Sequence, residues 1–148
     1  MNLHEKLRWS GAMNSPRLLA RHPLDNELTL EFWDHSRPVA GDRWFVCLSA
    51  RIAVPVRTET LPPELKAHAA QVVGALGEEL IFSHREERNF IAASEAPGLL
   101  KEMQDRILAL ASGYYGHVDF AARFIRKKFA EQQELEKWQR LDTRGDRA

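Results

Sequence analysis

Ten consecutive residues, Asp34-His35-Ser36-Arg37-Pro38-Val39-Ala40-Gly41-Asp42-Arg43, place charged, imidazole and hydroxyl groups between two apolar, aromatic-rich segments. Arg37 and Arg43 could hold an anionic ligand there through forked guanidinium hydrogen bonds, with Asp34 and Ser36 orienting a hydroxyl or a backbone turn. The same composition also describes a solvated hairpin tip, in which Asp and Ser cap turns while Pro and Gly shape them.

Upstream, Arg17-x-x-x-Arg21 followed by Asp34-x-Ser36 resembles the RxxxR and D/N-x-S-x-x-G pair of PilZ domains, which bind cyclic di-GMP. The resemblance implies that Arg17 and Arg21 would be guanine and phosphate ligands, supported by Asp34 and Ser36. Its second motif departs from the pattern: Gly41 lies five positions after Ser36 rather than three, and Pro38 intervenes. PilZ domains are also small β-barrels, whereas the last 55 residues here read as helical. The family is not assigned on these residues.

Other chemistries find less support. Six histidines occur (His4, His22, His35, His68, His84, His117), none in HxH, HxxxH or HExxH spacing, and no metal or other cofactor is expected. A hydrolase-like site would have to gather His35, His84, Glu86 and His117 from separate segments. No G-x-S-x-G elbow and no glycine-rich phosphate loop is present. Cys47 lies inside an expected strand and reads as a small buried hydrophobe. The run His84-Arg85-Glu86-Glu87-Arg88-Asn89 alternates charge sign, which suits a solvated turn or a guarded sheet edge. Arg123, Arg126, Lys127 and Lys128 make one helical stretch basic, but Glu131, Glu134 and Glu136 follow and partly cancel that field.

The elements that would carry these residues follow from periodicity. Leu28, Leu30 and Phe32 alternate with Thr29, Glu31 and Trp33, which predicts a strand, with a loop over Asp34–Asp42. Trp44–Val56 predicts a second, long strand with Trp44, Val46, Leu48, Ala50, Ile52, Val54 and Val56 on one face. Pro62-Pro63 suits the first turn of a helix running to Gly77. Glu79–His84 returns to strand, and Phe90–Ala92 either continues it or starts a return strand. Ser94 is placed to cap a helix whose stripe is Leu99, Leu100, Met103, Ile107, Leu110 and Tyr114. A last helix is expected from His117 to Gln139. Before these elements, residues 1–24 read as an N-terminal arm with a short helical turn around Arg17–Arg21. The expected organisation is that arm, a single domain over 25–140 and a flexible tail over 141–148. The fold class is α+β: an antiparallel sheet of three to four strands, opened by a long hairpin, with about three helices packed on one face.

Across 148 residues, 21 basic and 21 acidic groups balance. By thirds the signs run 8 against 6 over residues 1–57, 5 against 9 over 58–115 and 8 against 6 over 116–148. That distribution disfavours nucleic acid or a membrane surface as a partner. No apolar run approaches the roughly 20 residues that span a bilayer. With a single cysteine and no apolar leader, a soluble cytoplasmic protein is expected. The long apolar strand and the broad apolar side of the last helix offer more surface than three helices cover. The expected function is therefore a non-catalytic interaction or regulatory module, self-associating as a homodimer or binding another protein. Two alternatives stand beside it. One is a sensor for a small phosphorylated, nucleotide-like ligand, using Arg17, Arg21, Asp34, Ser36, Arg37 and Arg43; the other is the hydrolase-like site.

Overall fold

The computed structural model describes residues 15–146. Residues 1–14 of the expected arm and 147–148 of the expected tail lie outside the described residues. Five strands form an antiparallel sheet: β1 (Arg17–Pro23), β2 (Thr29–Asp34), β3 (Arg37–Ala40), β4 (Arg43–Pro55) and β5 (Glu79–Ala92). They pair in the order β1-β2-β4-β3, and β5 also pairs with β4. With α1 (Ala69–Leu76), α2 (Ala96–Ala109) and α3 (Phe120–Asp146), the fold is α+β, as expected, with more strands than the expected three to four.

The extra strands arise where pairing overrides local composition. Residues 17–21 are strand rather than a helical turn, because β1 finds a partner in β2, from Arg17 opposite Asp34 to Pro23 opposite Thr29. The expected loop over Asp34–Asp42 is mostly strand too. Asp34 lies opposite Leu48, and Arg37 opposite Phe45, so β2 and β3 follow β4 in one register. Between them the His35 N–H donates to the Cys47 carbonyl at 2.9 Å. This long hairpin turns only at Gly41 and Asp42, where Gly41 takes φ 54°, a left-handed conformation that costs glycine little. β5 likewise runs unbroken through the run His84–Asn89 to Ala92.

By its internal contacts the chain divides into two compact units, one holding residues up to Ile52 with Ser83–His117, the other Ala53–Phe82 with Val118 onward. In the first unit, Leu30, Phe32, Val46, Leu48, Ala50 and Ile52 are fully buried, as the alternation along β2 and β4 predicts. Each of these side chains larger than alanine contributes about 1.5–3 kcal/mol through its removal from water. α2 adds Met103 and Ile107 to the buried set, but Leu110 and Tyr114, expected on the same stripe, are exposed. The helix ends at Ala109 and the chain widens into a π-turn over Ala111–Tyr115, so the 3.6-residue phase is lost. Ser94 does not cap α2; Glu95 holds the N-cap position, without a side-chain cap bond. The side-chain amide of Asn26, at the β1–β2 turn, donates to the carbonyls of Tyr115 (2.9 Å) and His117 (3.0 Å), pinning that turn to the π-turn.

In the second unit, Val54, Val56, Leu61, Val72, Phe120, Ala121, Ile125 and Phe129 are buried. Phe82 meets Phe120 and Phe124 edge-on, with ring centres 5.3 and 5.5 Å apart. The helix expected from Pro62 begins as a 3-10 segment, Pro63–His68, before α1, and Gly77 ends it at φ 87°. α3 continues past Gln139, where its end was expected, to Asp146.

Candidate functional site

Each of the six residues expected to bind an anion has an internal partner. A register shift between Leu18 and Ala20 sets Arg17 opposite Asp34 but Arg21 opposite Glu31. Residues directly opposite in an antiparallel pair share a face and successive residues alternate, so the bulge turns the two arginines to opposite sides of the sheet. Arg17 pairs with Asp34 at 3.2 Å, and Arg21 with Glu31 at 2.7 Å. The RxxxR spacing therefore does not bring these two guanidinium groups onto one ligand.

Asp34 and Ser36 hold backbone. The Asp34 carboxylate accepts the Ser36 N–H at 2.8 Å, and Ser36 Oγ accepts the Cys47 N–H at 2.9 Å. Arg43 lies 3.8 Å from Asp42 and 5.9 Å from the centre of the Phe90 ring. Arg37 lies over Phe45, 5.2 Å from the ring centre.

Arg37 belongs to a larger arrangement, missed in the linear sequence because its members come from four strands. Alternation places Glu31, Trp33, His35 and Arg37 on one face of β2 and β3, opposite Arg51, Ser49, Cys47 and Phe45 of β4. Ser49 Oγ meets Ser83 Oγ at 3.2 Å, which puts Ser83, Arg85 and Glu87 of β5 on that same face. Arg51 lies over Trp33, 5.6 Å from the ring centre, a second guanidinium–aromatic contact. Trp33, Phe45 and Arg51 are half-buried, while Arg37, Ser83, Arg85 and Glu87 are exposed. The phase of the strand alternation was the available signal, since Trp33 and Arg37, like Phe45 and Arg51, are an even number of residues apart.

Two groups on this face, the half-buried His35 and the buried Cys47, are shielded from water. Burial, reinforced by the Arg85 guanidinium, holds the His35 imidazole below its ordinary pKa, and its Nε2 has no hydrogen-bond partner. Burial pushes the Cys47 thiol up, against a smaller opposing pull from Arg85.

The hydrolase-like set does not share one side of the sheet. His84 Nε2 lies 3.5 Å from Glu86, and Arg106 lies 3.9 Å from the same carboxylate. His84 and Glu86 alternate with Ser83 and Arg85, so they face away from His35. Among the described residues, no three His, Cys, Asp or Glu side chains converge to hold a metal ion.

In the second unit, a groove of about 380 Å³ is lined by Glu64, His68, Gln71, Arg126 and Phe129 among others. Its charges answer each other: Arg126 donates to both Glu64 oxygens, through Nε and, at 3.2 Å, through Nη2. That pairing is the main reason the Glu64 carboxyl titrates below its ordinary value. Beyond Phe129, α3 exposes Leu135, Trp138 and Leu141.

No described helix is long and apolar enough to cross a membrane. The chain matches no protein-family model, no curated protein and no solved structure.

Proposed function

We propose that the protein is a non-catalytic interaction module that self-associates through the outer face of α3. The observation that carries this reading is the exposed row Leu135, Trp138 and Leu141. Steps of three residues keep all of them within about 120° of arc, one side of the helix. A helix draws most of its stability from packing an apolar face, and this stretch finds none among the described residues. A second copy laid antiparallel and centred on Trp138 sets Leu135 of each α3 against Leu141 of the other, the self-complementary arrangement of a two-fold dimer.

Sedimentation equilibrium tests this. The native chain is expected at twice its 17.0 kDa mass, and Leu135→Glu with Trp138→Glu at the monomer mass with an unchanged far-UV spectrum. A native monomer at about 100 µM, a concentration that would populate even a weak dimer, overturns the reading. So does a variant that stays dimeric.

A further inference from the structure

We propose that the outer face of the first unit's sheet, the one carrying Trp33, Arg37, Phe45 and Arg51, binds single-stranded nucleic acid. The proposal is independent of self-association through α3. Its basis is a pair of guanidinium–aromatic contacts, Arg37 over Phe45 at 5.2 Å and Arg51 over Trp33 at 5.6 Å from the ring centres. Aromatic rings and guanidinium groups held side by side are what stack on nucleobases and contact phosphates. Neither Arg37 nor Arg51 has a carboxylate partner among the described residues, so both remain available to an anion.

Charge on this face complements a polyanion. Arg21, Arg37, Arg51 and Arg85 stand against Glu31 and Glu87, which pair with Arg21 at 2.7 Å and Arg85 at 2.9 Å. The overall balance of the chain conceals this surplus, because β1, β3, β4 and β5 contribute one arginine each.

Spacing selects a chain over a single nucleotide. Trp33 and Arg37 are four residues apart along β2 and β3, about 13 Å at the rise of a strand. One nucleotide stacked at either end does not reach the other. Between the two contacts Cys47 and Ser49 are buried, while Ser83 and Arg85 of β5 are exposed on the same face. Stacking with phosphate contacts, without reading of base edges, predicts weak sequence preference.

The test is fluorescence anisotropy of the full chain with a labelled single-stranded oligonucleotide of about 12 residues. Binding is expected in the micromolar range. It should weaken between about 50 and 200 mM salt, with a logarithmic slope near −0.7 for each phosphate contacted. Arg37→Ala with Arg51→Ala is expected to weaken binding at least about tenfold, the loss of one to two stacking contacts. Lys66→Ala with Lys101→Ala, both exposed and away from this face, should leave it unchanged. Should the double variant fail to fold, Arg37→Ala at its exposed position carries the comparison.

No anisotropy change up to about 100 µM protein overturns the proposal. Unaltered binding by the Arg37 and Arg51 variants overturns it as well. Displacement of the oligonucleotide by mononucleotide or by an acidic peptide as readily as by unlabelled oligonucleotide also overturns it, because the face would then recognise charge alone.

Discussion

Ser36 Oγ accepts the Cys47 backbone N–H at 2.9 Å, at the point where β2 passes into β3 along the same edge of β4. The hydroxyl substitutes for a ladder carbonyl, and the Asp34 carboxylate sets it in place by accepting the Ser36 N–H at 2.8 Å. Two residues with the chemistry of ligand binding are thereby committed to keeping a long hairpin continuous.

Ser36→Ala should therefore lower stability by about 1–3 kcal/mol, the cost of leaving a buried N–H unpaired. Urea unfolding of the variant measures it. A loss close to zero would mean that water replaces the hydroxyl.

His35 sets a pH dependence of known sign. Its folded pKa lies below the ordinary 6.5, mainly through burial. As pH falls below about 6.5 the unfolded chain takes up a proton that the folded chain refuses, so stability declines and levels off only below the folded pKa. His35→Phe should flatten the unfolding midpoint across that acid window. It should cost little at neutral pH, since the Nε2 it removes has no partner. A native-like acid slope in His35→Phe would assign the slope to other groups.

Cys47 is fully buried and its thiol titrates above the ordinary range. Because only the thiolate attacks, a disulfide reagent at about pH 8 should modify Cys47 no faster than the chain opens. Rapid modification of the native protein would contradict this burial.

Gly116 follows the π-turn and donates to the Ala111 carbonyl at 2.5 Å. A Cβ there would sit 2.7 Å from that same oxygen, closer than packed atoms tolerate. Gly116→Ala should cost about 1–3 kcal/mol as the turn shifts to relieve the overlap. Melting temperature and far-UV spectra report it, and a variant as stable as the native chain would show that the turn yields freely.

Phe90 takes φ 59° and is 64% exposed, an unfavourable conformation for an aromatic residue with little burial in return. Phe90→Gly should raise stability by about 0.5–1 kcal/mol, the relief of left-handed strain less the freedom glycine adds to the unfolded chain. A fall in the unfolding midpoint would instead assign the net stabilisation to the contact between Phe90 and Arg43.

The local pattern of residue types is enough to dictate the parts of this protein that depend on period. The alternation of Leu30 and Phe32, the buried row from Val46 to Val56, and the Met103 and Ile107 stripe each follow from which side chains a strand or helix turns to one side. Its limits lay where a distant partner outweighs local composition. Residues 17–21 become strand because β2 is there to pair with them, and Ser36 becomes a ladder element because Cys47 presents an N–H. Leu110 and Tyr114 continue a helical stripe on paper, but the chain has already left the α-helical phase after Ala109. The candidate site is the clearest case. Arg37 belongs to one charged run in sequence, while Phe45, Arg51, Trp33 and Arg85 join it only through the register of β2, β3, β4 and β5. Register is a property of pairing between strands, so the face it assembles was decided by the tertiary structure alone.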